Sequence, residues 1–226
     1  MPHLRNRFLL KPFKKTLKFW PVIALLGPRQ CGKSTFLREI AFKKSESTYR
    51  TFDPSVQRRL AQQNPEVYLK NAEIYPLIID EAHKVPEIFD EIKALVDEKR
   101  IPGKFILSGS VEFSTKSGVR ESLTGRCATM RLDSLTVSEA NPKSSYNIKD
   151  ILVHLDSGGM PGIFATRDKS QRSSYWDEWL ETLCERDLKV MGGGRLSGDL
   201  AREVLEAIAR LEVPNVTNIS KKTGVD

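Results

Sequence analysis

The sequence predicts an α/β domain built on a mostly parallel β-sheet, followed by a helical region. Three observations carry this. Short continuous apolar runs, such as Val22 to Leu26, recur between residues 20 and 132. Parallel strands buried on both faces read this way, because neither face has to meet water. Segments of helical period separate the runs, which is the alternation that builds a covered parallel sheet. Finally, the first run ends in a glycine-rich loop and the third in two adjacent acids.

The elements follow in order. Residues 4–19 mix apolar and basic positions at a loose helical spacing, marked by Leu4, Phe8, Lys11, Lys15 and Lys18. Val22 to Leu26 is the first strand. After the loop, Phe36, Leu37, Ile40 and Ala41 recur at helical spacing. Tyr49 to Phe52 is the second strand, stopped by the turn pair Asp53-Pro54. Residues 55–70 read as helix. Tyr75 to Ile79 is the third strand, ending at Asp80-Glu81. Pro86 opens a helix that carries Ile88, Phe89, Ile92, Leu95 and Val96 on one face. Phe105 to Leu107 is the fourth strand, ending in Ser108-Gly109-Ser110, and Ala128 to Leu132 is the fifth.

Near residue 140 the character changes. Asn141 to Asn147 is polar and linker-like, and Ile148–Leu155, Tyr175–Val190 and Leu200–Leu211 then read as helices. The division expected is an α/β core over residues 1–140 and a mostly helical region over 141–226. Its last stretch, Val216 to Val225, looks like the first helix and turn of a helix-turn-helix. The recognition helix would begin where the sequence stops, so a truncated C-terminal region is the expectation.

Composition limits the partners. No run approaches the ~18 apolar residues of a membrane span, which argues against a membrane partner. Phe8-Leu9-Leu10 is broken by Lys11, so it does not make a secretory signal. The three cysteines, Cys31, Cys127 and Cys184, form no CxxC pair and suggest neither a disulfide framework nor zinc. A cytoplasmic protein is expected. The net charge of +7 is unevenly placed: residues 1–38 hold nine Lys or Arg and no acid. Such an arm suits nucleic acid or phosphates, and equally a solvated helix face.

Two motifs carry chemistry. Gly27-x4-Gly32-Lys33-Ser34 fits the phosphate-binding P-loop pattern and lies between a strand and a helix, where it has to lie. Backbone N–H groups surround phosphates only where side chains leave room, which Gly27 and Gly32 supply, and the helix dipole points its positive end at them. The loop Gly27, Pro28, Arg29, Gln30, Cys31, Gly32, Lys33, Ser34 and Thr35 is therefore the expected ATP cradle. Lys33 contacts the β and γ phosphates, and Ser34 ligates Mg²⁺. In Leu77-Ile78-Ile79-Asp80-Glu81, Asp80 is the second metal position and Glu81 the general base that deprotonates the attacking water. That pairing expects a three-layer P-loop NTPase that hydrolyses ATP.

Ser108 is the favoured polar sensor of the γ phosphate or the water, with Ser110 as competitor. Arg126 is the favoured arginine finger acting in trans, with Arg120 and Arg186 as rivals. Asp80-Glu81-Ala82-His83 spells the DEAH of a helicase class, but those helicases need two such domains and this chain has room for one. No NKxD base-reading motif suits a GTPase.

GPRQCGKST, LIIDEAHKVPEIFDEIK, FILSGS, ESLTGR, LDSLTVSEA and ERDL occur in that order. Together they resemble the AAA-type ATPases of bacteria and archaea whose loop reads GPRQxGK[ST], in which a helical, winged-helix-containing domain of unknown function follows the core. The resemblance covers most of residues 1–190. It implies ATP and Mg²⁺, a sheet of order 5-1-4-3-2, and kinship with AAA+ and signalling ATPases. The chain departs from the pattern at Cys31 (usually valine), Ser34 (often threonine), His83 (usually glutamine) and Ser108 (tending to threonine). Gly159-Met160-Pro161 matches a turn that related ATPases place near the adenine.

Three functions follow from these readings. The leading one is an ATP-hydrolysing switch or motor core. The others are an ATP-dependent DNA-binding module and a nucleotide-gated regulator of a partner protein with little turnover. A homo-oligomer stays open, because a finger in trans requires one.

Overall fold

The computed structural model describes residues 4–109, 123–141, 145–164, 168–188 and 197–224. Its centre is a five-stranded sheet: β1 (Val22–Leu26), β2 (Thr48–Thr51), β3 (Leu77–Asp80), β4 (Phe105–Gly109) and β5 (Cys127–Arg131). The spatial order is β2-β3-β4-β1-β5 and every pairing is parallel. This is the expected 5-1-4-3-2 order read from the opposite edge.

The three inner strands are buried along their whole length, as continuous apolar runs demand. Alternation along β1 sends Val22, Ala24 and Leu26 to one face and Ile23 and Leu25 to the other. Onto the first face pack Phe52 and the helices α3 (Ser55–Gln63), α4 (Pro65–Lys70) and α5 (Glu87–Glu98). Onto the second pack Phe13 of α1 (Leu10–Thr16) and Phe36, Leu37 and Ala41 of α2. Helix α2 begins as Lys33–Thr35 and widens into π turns over Phe36–Ala41.

Helix α5 shows how sequence dictates this packing. Ile88, Phe89, Ile92, Leu95 and Val96 make one stripe, and all five are buried. Each is worth about 1.5–3 kcal/mol of transfer free energy. Glu87 and Asp90 sit in the first turn, where the helix dipole favours acids. The single helix expected over residues 55–70 is two. Asn64 leaves helical geometry, its side chain accepts from Val67 N, and Pro65 starts the new helix at its first position.

Ser108 lies within β4 rather than in the turn after it, which fixes its side chain inside the sheet. A short helix absent from the sequence reading, α6 (Val137–Ala140), follows β5. Thr136 and Glu139 close it with a reciprocal capping box: Glu139 N donates to Thr136 Oγ1 at 3.2 Å and Thr136 N to Glu139 Oε2 at 3.0 Å. Helices α7 (Ile148–Ser157) and α8 (Pro161–Phe164) complete a compact unit spanning Met1–Ala165. Leu135 N donates to Gly159 O at 2.7 Å, tying the turn before α8 to the segment after β5.

The second compact unit, Thr166–Asp226, contains α9 (Lys169–Thr182, continuing as π turns over Leu183–Leu188), α10 (Gly198–Arg210) and α11 (Val216–Thr223). Each of these three helices starts on a side-chain cap, from Asp168, Ser197 and Asn215 respectively.

Candidate nucleotide site

The loop Gly27–Thr35 leaves the C-terminal end of β1, the central strand, and feeds α2. Its path needs two left-handed residues, Gln30 (φ 62°) and Gly32 (φ 96°), and Gly32 is the N-cap of the helix. Glycine takes that conformation without strain. Gly27 is needed for a different reason. A Cβ there would lie 2.0 Å from Leu132 O, so the residue is a packing joint against the end of β5. This packing need at Gly27 stands beside the room for phosphate that the sequence suggested for both glycines.

Lys33 is buried, and its Nζ donates to Gly27 O at 3.0 Å and Pro28 O at 2.9 Å. The ammonium is thus held inside the arch of its own loop. Cys31 does not face that arch: its thiol donates to Leu132 O at 3.1 Å, it is buried in the core, and burial pushes its pKa up. Its carbonyl also faces inward, onto Arg7. Pro28, Arg29 and Ser34 are partly exposed, and Gln30 and Thr35 exposed.

The end of β3 meets the loop through Asp80. Ser34 Oγ donates to Asp80 Oδ2 at 2.5 Å, Tyr49 OH donates to the same oxygen at 2.5 Å, Ser108 Oγ donates to Oδ1, and Glu81 N donates to Oδ1 at 3.1 Å. Burial by itself raises the pKa of this carboxyl, but these four donors outweigh it and hold the group below the ordinary carboxylate range. Asp80 is therefore a fixed anion at the foot of the loop.

Glu81, the next residue, turns out of the strand with φ 55°, a left-handed conformation that costs a non-glycine residue of order 1–3 kcal/mol. Its pKa is raised, first by burial and then by the neighbouring Asp80 charge, against the pull of Lys84 and Lys33. His83 Nδ1 lies 3.4 Å from Glu81 Oε2, which places His83 beside the acid. Lys84 Nζ pairs with Asp53 Oδ1 at 2.5 Å, so the turn after β2 holds the turn after β3.

Two residues of this neighbourhood escaped the sequence reading. One is Tyr49, described above. The other is Arg7, counted there among the basic arm. Arg7 is buried: Nη1 donates to Cys31 O at 3.0 Å, Nη2 donates to Asp133 O at 2.5 Å, and Nε lies 3.3 Å from Glu139 Oε1. Phe8 N donates to the same Glu139 oxygen at 2.7 Å. The segment before β1 is thereby clamped behind the loop. A Cβ on Gly32 would lie 3.5 Å from Pro161 Cγ and 3.6 Å from Arg7 Nη1, so those two residues flank the loop on one side. No local pattern in the sequence joins Arg7 to Glu139. The only signal is an unmatched arginine and an acid that the capping box already explains. Arg7→Ala leaves Glu139 buried without its cation, and a loss of about 3–5 kcal/mol is expected in urea unfolding.

The structure brings Lys33, Ser34, Asp80, Glu81 and Ser108 to one end of the sheet. It does not bring Arg126 there. Arg126 precedes β5, its carbonyl accepts from Val22 N, and so it lies at the opposite end, a strand length or roughly 15 Å away. Its guanidinium is paired with Asp97, Nε to Oδ1 at 2.6 Å and Nη2 to Oδ2 at 2.7 Å. Ser108 is fully buried with its hydroxyl on Asp80. Ser110, Arg120 and the side chain of Arg186 lie outside the described residues.

The donor set suits Mg²⁺ and a polyphosphate. Two hard oxygen donors, Ser34 Oγ and Asp80 Oδ2, stand 2.5 Å apart beside a buried lysine, and the one nearby sulfur is turned into the core.

Known proteins agree with this architecture. The AAA domain family matches residues 20–141. Two uncharacterized proteins, from Mycobacterium bovis and Mycobacterium tuberculosis, are each 30% identical over 179 residues, covering 79% of this chain and 38% of theirs. The chain therefore spans well under half the length of these curated relatives. Among solved structures, the Walker-type ATPase PABY2304 of Pyrococcus abyssi superimposes with a TM-score of 0.59 at 14% identity, covering 98% of this chain and 84% of that one. At that identity the likeness is one of fold. No helix among the described residues is long and apolar enough to cross a membrane. With a matched span that runs from the turn before β1 through the loop, Asp80 and β5, the chain belongs to the AAA domain family of nucleotide-binding, ATPase-like proteins.

Proposed function

We propose that the protein binds ATP at Gly27–Thr35 and hydrolyses it in a Mg²⁺-dependent reaction, as the core of a molecular switch or motor. The observation that carries this reading is the Ser34–Asp80 hydrogen bond, which joins the loop that would hold phosphate to the acid at the end of β3 whose pKa is held down.

Each residue then has one task. Lys33 turns its Nζ from the Gly27 and Pro28 carbonyls to the β and γ phosphates, exchanging two neutral acceptors for charged ones. Ser34 and Asp80 would hold the metal, and Mg²⁺ bound there would supply positive charge to the phosphate oxygens and so lower the barrier to transfer. Glu81 orients the attacking water and accepts its proton. Ser108 acts one step back, by fixing Asp80. Arg126, at the other end of the sheet, has no task at the chain's own loop, and a finger in trans would act at a neighbouring copy's loop.

The test is nucleotide binding and turnover by the whole chain, with and without Mg²⁺, beside Lys33→Ala. The wild type should release phosphate from ATP only when Mg²⁺ is present. Lys33→Ala should bind ATP at least ~10-fold more weakly, as loss of a charge-assisted contact implies. Equal binding by the two proteins would sink the assignment.

A further inference from the structure

Resting on the reading above, we infer that Tyr49 is a positioning residue for the metal site, setting how tightly the Ser34–Asp80 pair holds a divalent cation. The geometry is specific. Tyr49 lies on β2, in register with Ile78 on β3, two residues before Asp80. Its hydroxyl crosses to Asp80 Oδ2 at 2.5 Å, the oxygen that also accepts from Ser34.

The two donors on Oδ2 are not equivalent. Ser34 has an oxygen lone pair to offer a cation and is placed to serve as a ligand. A phenol has to lose its proton to become a comparable ligand. With its proton in place it serves Oδ2 as a donor and not as a rival ligand. When a cation draws on Ser34, Tyr49 is the side chain left holding Oδ2, while Ser108 holds Oδ1.

The ring itself is held in place. The Arg38 guanidinium lies over it, 5.1 Å from its centroid, and the ring packs against the core on the α1 and α2 side of the sheet. Arg38 belongs to α2, the helix that Lys33 and Ser34 begin. The phenol therefore links strand β2, helix α2 and the acid of β3. Groups that hydrogen-bond a metal's ligands orient them, and their loss typically weakens binding 10- to 100-fold.

The test compares wild type with Tyr49→Phe in the full chain. A fluorescent, non-hydrolysable ATP analogue is titrated in EDTA and then against free Mg²⁺. Mn²⁺ binding in the presence of the same analogue is followed by the loss of free Mn²⁺ EPR signal. The expected result is unchanged analogue binding in EDTA and an about 10-fold rise in the Mg²⁺ and Mn²⁺ concentrations for half-saturation. A purely structural role for Tyr49 would instead lower the EDTA and metal-loaded binding together.

Should Tyr49→Phe not fold, Arg38→Met releases the ring and keeps the phenol. It should shift the metal titration the same way by a smaller factor. Unchanged metal titrations in whichever variant folds overturn the inference. A wild-type protein whose analogue binding ignores the metal overturns the site reading itself, so the two failures are distinguishable.

Discussion

Replacing Glu81 with glutamine is expected to lower ATP turnover by about 10²–10⁴-fold while leaving ATP binding within a factor of two or three. The change keeps size and shape. It removes only the capacity to take a proton, together with one negative charge next to Asp80. The neighbours need little adjustment, since His83 and Lys84 keep their places on the turn after β3. Single-turnover phosphate release and an equilibrium binding titration separate the two effects. Turnover that survives in Glu81→Gln would move the general base elsewhere, and Asp53, paired to Lys84 on the facing turn, would be next to examine. A large loss of binding with unchanged kcat would instead make Glu81 a structural acid.

The second large effect is a backbone one. Gly27→Ala should destabilise the chain by more than about 4 kcal/mol in urea unfolding, in the range reached only by severe steric or buried-charge faults. Gly32→Ala should cost only about 1–2 kcal/mol. Both belong to the P-loop sequence pattern, which alone gives them equal weight. The surroundings do not. At Gly27 a methyl group meets the Leu132 carbonyl at 2.0 Å, a backbone atom that cannot swing aside, whereas at Gly32 the nearest neighbours are Pro161 at 3.5 Å and Arg7 at 3.6 Å. There the cost is conformational, from φ 96°. The ranking is the point to check: a Gly32 variant less stable than the Gly27 variant would contradict the packing described here.

Much of the fold could be read from the chain because inner parallel strands have no polar face. Val22–Leu26 and Phe105–Leu107 announce themselves as apolar runs, and their helices by stripes such as Ile88 to Val96. The loop and Asp80-Glu81 were legible for a related reason: their chemistry needs residues close together in sequence. What stayed hidden depends on distant pairs. Arg7 looks like one more cation in a basic stretch until Glu139 and the Asp133 carbonyl close around it. Tyr49 looks like an ordinary strand aromatic until β2 is placed beside β3. Arg126 is a different case: it stands just before the fifth strand, which in a parallel sheet is the end away from its own loop, so a finger there could serve only the site of a neighbouring copy.

The Arg7 clamp also bears on where this domain begins. Similarity to the AAA domain family starts at residue 20. Physically the fold starts earlier. Phe13 is fully buried, edge-on to Phe36 at 5.3 Å, and Arg7 neutralises an acid that lies beyond the last strand. A boundary drawn at residue 20 would cut through the hydrophobic core and strip the rear wall from the Gly27–Thr35 loop. In this protein the edge of the family match and the edge of the packed core, which takes in Arg7 and Phe13, are different places.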